Sequence, residues 1–588
     1  MNLSNDVVML LCNYMNKVDV DSLSLTCKML YNQTLSYKQN NFVLDLTDRK
    51  VNEIPRFAHL ITNSFDFSQV SSIKCITVDD NVNKSIKGIS LLNNLTHLTL
   101  DDNFNQPIEE MLPNRLTHLT FGCHFDQPID GILPPNLTHL EFGRYFHKPI
   151  EELLLLNNLT HLTFGYNFDE PITGKLPPNL THLTFGYGFN QPIEEILLLD
   201  NLTHLEFGED FNQPIPGMLP SSLTHLTFGI NFNQPIEGVL PRNLTHLTFD
   251  SHFNQSIEGI LLLDNLTHLE FGRDFNRSIE GISNLNNLTY LEFGHHFNQP
   301  IEEKLPPRLT HLTFGYCFNQ PIGETLPPNL THLTFGEDFN QPIEGILPPS
   351  LTHLKIGDSL TQPTQGILHC SLTHLTFGHD FNQPIDGILP CKLTHLQFGY
   401  WFNQPIEGML PSGLTHLTFD FHFDQPIEGI LPPSLTFIEF GDHFNQPIEG
   451  IFSSLKNLTH LIFGKNFNQP IEGIFLLKRL THLEFGENFN QPIEEMFSSL
   501  KNLTNLFFGK NFNQPIGEIF SLKKLTCLQF HKCYNQPIEG TFPPNLIDIF
   551  FGGLEWEDML RQKRLSYLNS NKLYYSVVQP KWKKFKIV

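Results

Sequence analysis

Seventeen of the chain's 28 histidines recur at one position of a repeat, at a spacing of 21 to 23 residues, from His97, His118 and His139 through to His460 and His482. Imidazoles held in a row could ligate metals or take up protons near neutral pH. A metal centre, however, needs a closed ligand set with a supporting shell. A uniform ladder offers neither, so the expectation is a surface column of stacked neutral rings, with no metal and no cofactor. Below about pH 6 such a column should begin to charge, and mutual repulsion should weaken the array. No nucleophile is paired with a base outside the repeat, so the chain is not expected to be an enzyme. Nine cysteines are scattered without a CxxC pair, as expected of free thiols in a reducing compartment.

The elements that must hold this column are legible in the repeat. Phe-Asn-Gln-Pro-Ile occurs thirteen times, from Phe104–Ile108 to Phe512–Ile516. A Leu-Thr-His-Leu element follows about a dozen residues after each copy and runs through 22 positions, from Leu95 to the eroded Leu546-Ile-Asp-Ile549. So short a period means a solenoid, because one unit cannot bury its own apolar face and must stack on its neighbours. In residues 133–150, LPPNLTHLEFGRYFHKPI, period-2 alternation sends Leu140 and Phe142 inward and His139 and Glu141 outward. Gly143 ends the strand, and Phe146 and Ile150 turn inward again, so each coil adds two rings to stacked aromatic columns. Pro134 and Pro135 favour an extended return, and 21 residues leave no room for several helical turns. Where Leu-Pro-Pro becomes Leu154–Leu156, Leu197–Leu199 or Leu261–Leu263 the spacing grows by one, and where it becomes Phe452–Leu455 or Phe497–Leu500 it grows by two. Those outer segments are expected to close into short helical turns. Asn105, Asn190, Asn212 and Asn233, each beside a buried Phe, suggest an Asn ladder bonding the backbone of adjacent coils. Asp126, Asp169 and Asp424 in the same place keep the acceptor.

The outward position two residues after each histidine is free to vary, and specificity should reside there. The partner-binding strip is predicted to include Glu141, Glu206, Lys355, Gln397, Ile462 and Phe507, with Trp401 in the following turn; Ile462 and Phe507 are expected to be exposed apolar groups, suited to anchoring a partner. The formal charge of −24 argues against a nucleic-acid binder, which neutralises phosphates with basic patches. Glu or Asp after Pro-Ile (Glu109, Asp130, Glu151) forms an acidic column expected to keep the array soluble. The N-terminus lacks a basic region and a long apolar core, so no secretion signal, membrane segment or membrane partner is expected. The recurrent Asn-Leu-Thr at Asn136, Asn158 and Asn179 then carries no glycan, and a cytoplasmic location follows.

The boundaries are read as a helical domain at 1–45, a transition or cap at 46–81, the solenoid of about 22 coils at 82–552, and a C-terminal cap with a basic tail at 553–588. Val7, Leu10, Leu11, Tyr14 and Met15 share one face of a short helix. Residues 561–588 hold eight Lys or Arg and no acid.

The LxxLxL strand with its Leu-Pro-Pro return resembles short leucine-rich repeats, although the column that usually holds Asn varies (Asn103, His124, Tyr145, Gly188). The Phe-Asn-x-Pro-Ile core resembles FNIP repeats, a family of dictyostelid amoebae and of giant viruses infecting amoebae, over about four-fifths of the chain. Residues 1–45 resemble an F-box: Leu3-Ser-Asn-Asp6, the apolar Val7–Met15, Asp19-Val20, then Leu23-Ser-Leu-Thr-Cys27-Lys28-Met-Leu-Tyr31. Ser4 stands where the F-box pattern has Pro, and Asp6 where it has Glu. These resemblances imply an α+β chain, with a small helical F-box followed by a right-handed leucine-rich-repeat-like solenoid. Its parallel sheet would line the concave face and its convex side would be mostly extended. They imply the substrate-recognition subunit of a cullin–RING ubiquitin ligase, in which Leu3, Val8, Leu11, Met15 and Leu23 dock a Skp-type adaptor while the coils hold an unknown target protein. The alternative is a protein-binding scaffold with no ligase role, whose N-terminal helices only cap the array.

Overall fold

The computed structural model describes residues 43–45, 57–61, 74–78, 86 and 88–551, apart from 173–175, 361–367, 369–370, 428–430, 494–496, 532 and 537–542. The expected F-box helices, with Leu3, Val8, Leu11, Met15 and Leu23, and the basic tail lie outside the described residues.

The chain divides into two compact units: one runs to Gln299 and adds Pro306–Arg308, and the other takes Pro300–Leu305 and continues from Leu309. In the first, β1 (Val43–Asp45), β2 (Phe57–Ile61) and β3 (Cys75–Val78) pair in parallel and lead into ten short strands, β4 (His97–Thr99) to β13 (Tyr290–Glu292). The second holds twelve, β14 (His311–Thr313) to β25 (Asp548–Phe551). Each unit is a stack of parallel coils in strict register. His225 faces His246 and Leu226 faces Leu247 in the first, and His332 faces His353 in the second. Among the described residues the helical elements are 3₁₀ turns of three to five residues, and no helix is long and apolar enough to cross a membrane.

The alternation expected of Leu-Thr-His-Leu is what forms the strand. In β6 (His139–Glu141) Leu140 is buried between outward-facing His139 and Glu141. Leu137, Phe142, Phe146 and Ile150 complete the inside of that coil. Phe142 packs on Phe146 at 4.2 Å within the coil. Between coils Phe121 stacks on Phe142 at 5.5 Å and Phe125 on Phe146 at 6.3 Å. Each such aromatic pair is worth about 0.5–1.5 kcal/mol beyond the area it buries.

The outer side returns in turns. Leu137 donates its N–H to the Pro134 carbonyl. The longer repeats at Glu151–Leu155, Glu194–Leu198 and Ile451–Ser453 close into 3₁₀ turns as expected. Leu261–Leu263 makes hydrogen-bonded turns without a 3₁₀ helix.

The Asn ladder is present, and its chemistry is specific. Asn190 Oδ1 accepts the Asn212 backbone N–H at 2.9 Å and the Gln213 side-chain amide at 3.1 Å. Asn212 Oδ1 does the same for Asn233 and Gln234 in the next coil. Of the Asn side chain these coil-to-coil bonds use the oxygen, with the backbone carbonyl also accepting from Gln213, which is why Asp424 serves equally, accepting from Asn445 and Gln446.

Candidate functional site

The outward strand face is built from the Thr-His pair of each coil. Thr117 Oγ1 donates to the Thr96 carbonyl at 3.0 Å and lies 2.9 Å from His118 Nδ1. A hydroxyl has one proton, and here it is spent on the carbonyl. Nδ1 must therefore carry the hydrogen and donate to Thr117 Oγ1, leaving Nε2 as a bare acceptor. The same lock recurs at Thr224–His225 in the first unit and Thr352–His353 in the second. Rings so fixed stack face to face: His97 on His118 at 4.1 Å and 13°, and His374 on His395 at 4.0 Å and 12°. Tyr290, Phe437, Asn505 and Cys527 interrupt the column in the register.

Parallel rings keep their in-plane lone pairs parallel. A metal at about 2.0–2.1 Å from an imidazole nitrogen lies in the ring plane, so neighbouring rings cannot converge on one ion. The geometry also changes the expected proton chemistry. Burial first, and neighbouring histidines second, lower His118, His161, His246 and His332 to about 4. At these four positions the expectation of charging from about pH 6 is thus corrected: rings part-buried and flanked by their own kind stay neutral to lower pH.

The predicted strip falls where the alternation places it. Glu141, Glu206, Lys355 and Gln397 are exposed, and Trp401 is 45% exposed. Ile462 and Phe507 are instead half-buried, which corrects their reading as exposed apolar groups. The register sets Glu484 between them. Side chains about 4.8 Å apart along a column shield one another, so the two apolar groups are half-buried although Glu484 between them is exposed. Burial, and then Glu292, raises Glu270, while Tyr290 Oη donates to Glu292 Oε2 at 2.5 Å.

Three features escaped the sequence reading. Glycine ends most strands, and where it does the coils approach closely: a Cβ on Gly143 would lie 1.8 Å from the Gly122 carbonyl oxygen; Asp250 and Asp420 take the position in two other coils. The Thr ladder behind the histidines joins hydroxyls to carbonyls one coil away, which the alternation pattern does not specify. The Asn of Asn-Leu-Thr forms a second ladder, with Asn136 Nδ2 donating to the Asn114 carbonyl and Asn158 Nδ2 to that of Pro135. The recurrence of Thr in nearly every coil was the available signal for the Thr ladder, and glycine in most coils that for the close approach.

These coils define a leucine-rich-repeat-like parallel β-solenoid. The FNIP repeat model matches in overlapping segments between 82 and 263, 286 and 359, and 362 and 500. The chain belongs to the FNIP repeat family. Among solved structures it is similar to CroV588, described as a novel circular LRR protein, with 42% identity, a TM-score of 0.62, and 85% of this chain and 80% of that one covered. The structure of a TLR13–ssRNA13 complex, 16% identical with a TM-score of 0.52 over 84% of this chain and 81% of that one, shares the fold alone. No curated protein matches the chain by sequence.

Proposed function

We propose that the array is a non-catalytic, protein-recognising solenoid of the cytoplasm, and that residues 1–45 act as an F-box coupling it to a Skp-type adaptor of a cullin–RING ubiquitin ligase. The observation that supports recognition is the contrast within each coil. The inward Leu and Phe, the Thr-His lock and the Asn ladder hardly change, whereas the outward residue two places on runs through Thr, Glu141 and Glu206 on the strand face of the first unit and Lys355 and Gln397 on that of the second. A scaffold that only had to stack would not need that variation. The F-box reading rests on Leu3, Val8, Leu11, Met15 and Leu23 in the sequence alone. Full-length chain is used as bait for purified Skp adaptor, beside a Leu11→Asp variant. Adaptor capture by the wild type and its loss in the variant are expected. No capture by the wild type ends the ligase reading and leaves the scaffold. Recognition is tested separately: a target bound by the array should be lost on Glu206→Lys combined with Lys355→Glu, and a target indifferent to both changes counts against the strip.

A further inference from the structure

Between the end of each strand and the buried Phe of the Phe-Asn corner, every coil has two turn residues. In the second unit these positions hold a run of rings. At the first position His379 stacks on Tyr400 (4.6 Å, 8°) and Tyr400 on Phe421 (4.7 Å, 9°). At the second, Trp401 stacks on His422 (3.9 Å, 10°) and remains 45% exposed. Carboxylates surround the rings. Asp358 and Asp442 continue the first position on either side, Asp380 precedes Trp401 in the second, and Asp420 replaces the strand-ending glycine. Their local bonds use Oδ1: Asp358 accepts the His379 N–H, Asp380 lies 2.7 Å from His379 Nδ1, Asp420 accepts the Phe421 N–H, and Asp442 accepts the Lys465 N–H. Oδ2 of each is left for a further donor. No Lys or Arg occupies these turn positions from Asp358 to His443, and Lys465 reaches away to Glu487 at 3.7 Å.

The first unit shows what such a column accepts. There Tyr166 stacks on Tyr187 at 4.5 Å, and the Arg144 guanidinium lies over Tyr166 at 4.4 Å. The chain thus places its own arginine on the aromatic run in one unit and leaves the run at Tyr400–Phe421 ringed by acid in the other. We infer that the exposed face of Trp401, at the edge of the Tyr400–Phe421 run, docks an arginine-bearing segment of a partner protein. His379 and Phe421 cover both faces of Tyr400, whereas Trp401 is stacked by His422 on one face only. A planar guanidinium can lie on the other face while its N–H fork turns to the carboxylate of Asp380, the preceding residue of that column; the compact lysine ammonium cannot do both. The chain's charge of −24 draws such a segment in. The inference rests on the protein-recognition reading above and names the partner chemistry for one part of it.

The test uses full-length chain and a labelled peptide alternating Arg with Ser, read by fluorescence anisotropy, with Lys and citrulline versions alongside. The Arg peptide should bind at least tenfold tighter than the Lys peptide, and the citrulline peptide should not bind. Trp401→Ala leaves the charge unchanged and removes an exposed side chain. It should weaken the Arg peptide at least tenfold without moving the thermal midpoint, whereas Tyr166→Ala should have no effect on binding. Equal binding by wild type and Trp401→Ala, or equal affinity for Arg and Lys, would mean attraction by net charge only and would overturn the inference. If the strand-face variants lose a target while Trp401→Ala affects neither that target nor the peptide, the platform inference falls and the recognition reading stands.

Discussion

A Cβ on Gly294 would sit 1.6 Å from the carbonyl oxygen of Gly272, and one on Gly229 would sit 2.1 Å from that of Gly208. The obstacle is backbone in both cases, so no side-chain movement relieves it. Gly229→Ala is expected to destabilise by roughly 3 kcal/mol or more, as clashes in a packed interior do. Gly238 differs: its φ is +73°, and nothing lies within 4 Å of a Cβ there. Gly238→Ala should cost only about 1 kcal/mol of backbone strain. Urea titrations of the two variants check this, and equal losses would remove the steric account of the strand-ending glycines. The Asn ladder makes a second residue-level distinction. Asn212→Asp preserves the carbonyl that accepts from Asn233 and Gln234 and should be nearly neutral. Asn212→Leu strands those donors at about 1–3 kcal/mol. An Asp variant as damaging as Leu would show that the amide group has a role beyond accepting.

A strand of three residues is too short to persist alone, and the columns that cross it supply its stability. The histidine column ties that stability to pH. An unfolded histidine titrates near 6.5, whereas His118, His161 and His246 are held down to about 4 in the fold. Between those values the unfolded chain binds more protons, so stability rises with pH there. The contribution of these three is complete above about pH 6.5, falls as pH drops, and is gone below about 4. The loss comes from proton uptake by the unfolded chain while the folded rings are still neutral. Urea midpoints should therefore decline from pH 7 to 4.5. The slope should shrink when His204, His225 and His246 become Asn, the residue already present at Asn505. An unchanged slope would place the pH dependence elsewhere. Zinc at low stoichiometry should leave the melting temperature within a few degrees if the parallel rings are as unsuited to chelation as their stacking implies. A larger rise would show that the column opens to bind metal.

At the scale of the whole molecule each coil touches chiefly its neighbours, and stability is nearly a sum of coil and interface contributions. Gly229→Ala should accordingly raise hydrogen exchange in β9 (His204–Glu206), β10 (His225–Phe228) and β11 (His246–Phe249) while β4 to β6 of the same unit stay protected. Uniform loss of protection across that unit would mean that it unfolds as one body. Most of the architecture is legible in the sequence, because thirteen copies of one phrase repeat a single physical problem. Period-2 burial, paired Phe columns and the carbonyl of Asn105, Asn190 and Asn212 follow from side-chain polarity and backbone geometry, which act locally and identically in every coil. The folded chain was needed wherever an outcome depends on distance between coils. Gly143 has an ordinary conformation and is demanded only by the Gly122 carbonyl 21 residues away. The Thr-His tautomer depends on which carbonyl Thr117 meets. Ile462 and Phe507 look exposed in a one-dimensional pattern and are half-buried once Glu484 is set between them. Tyr400 and Trp401 are two adjacent letters in the sequence. They become a platform only because His379, Phe421 and His422 arrive one coil to either side, at a separation that parallel stacking imposes and that no window along the chain contains.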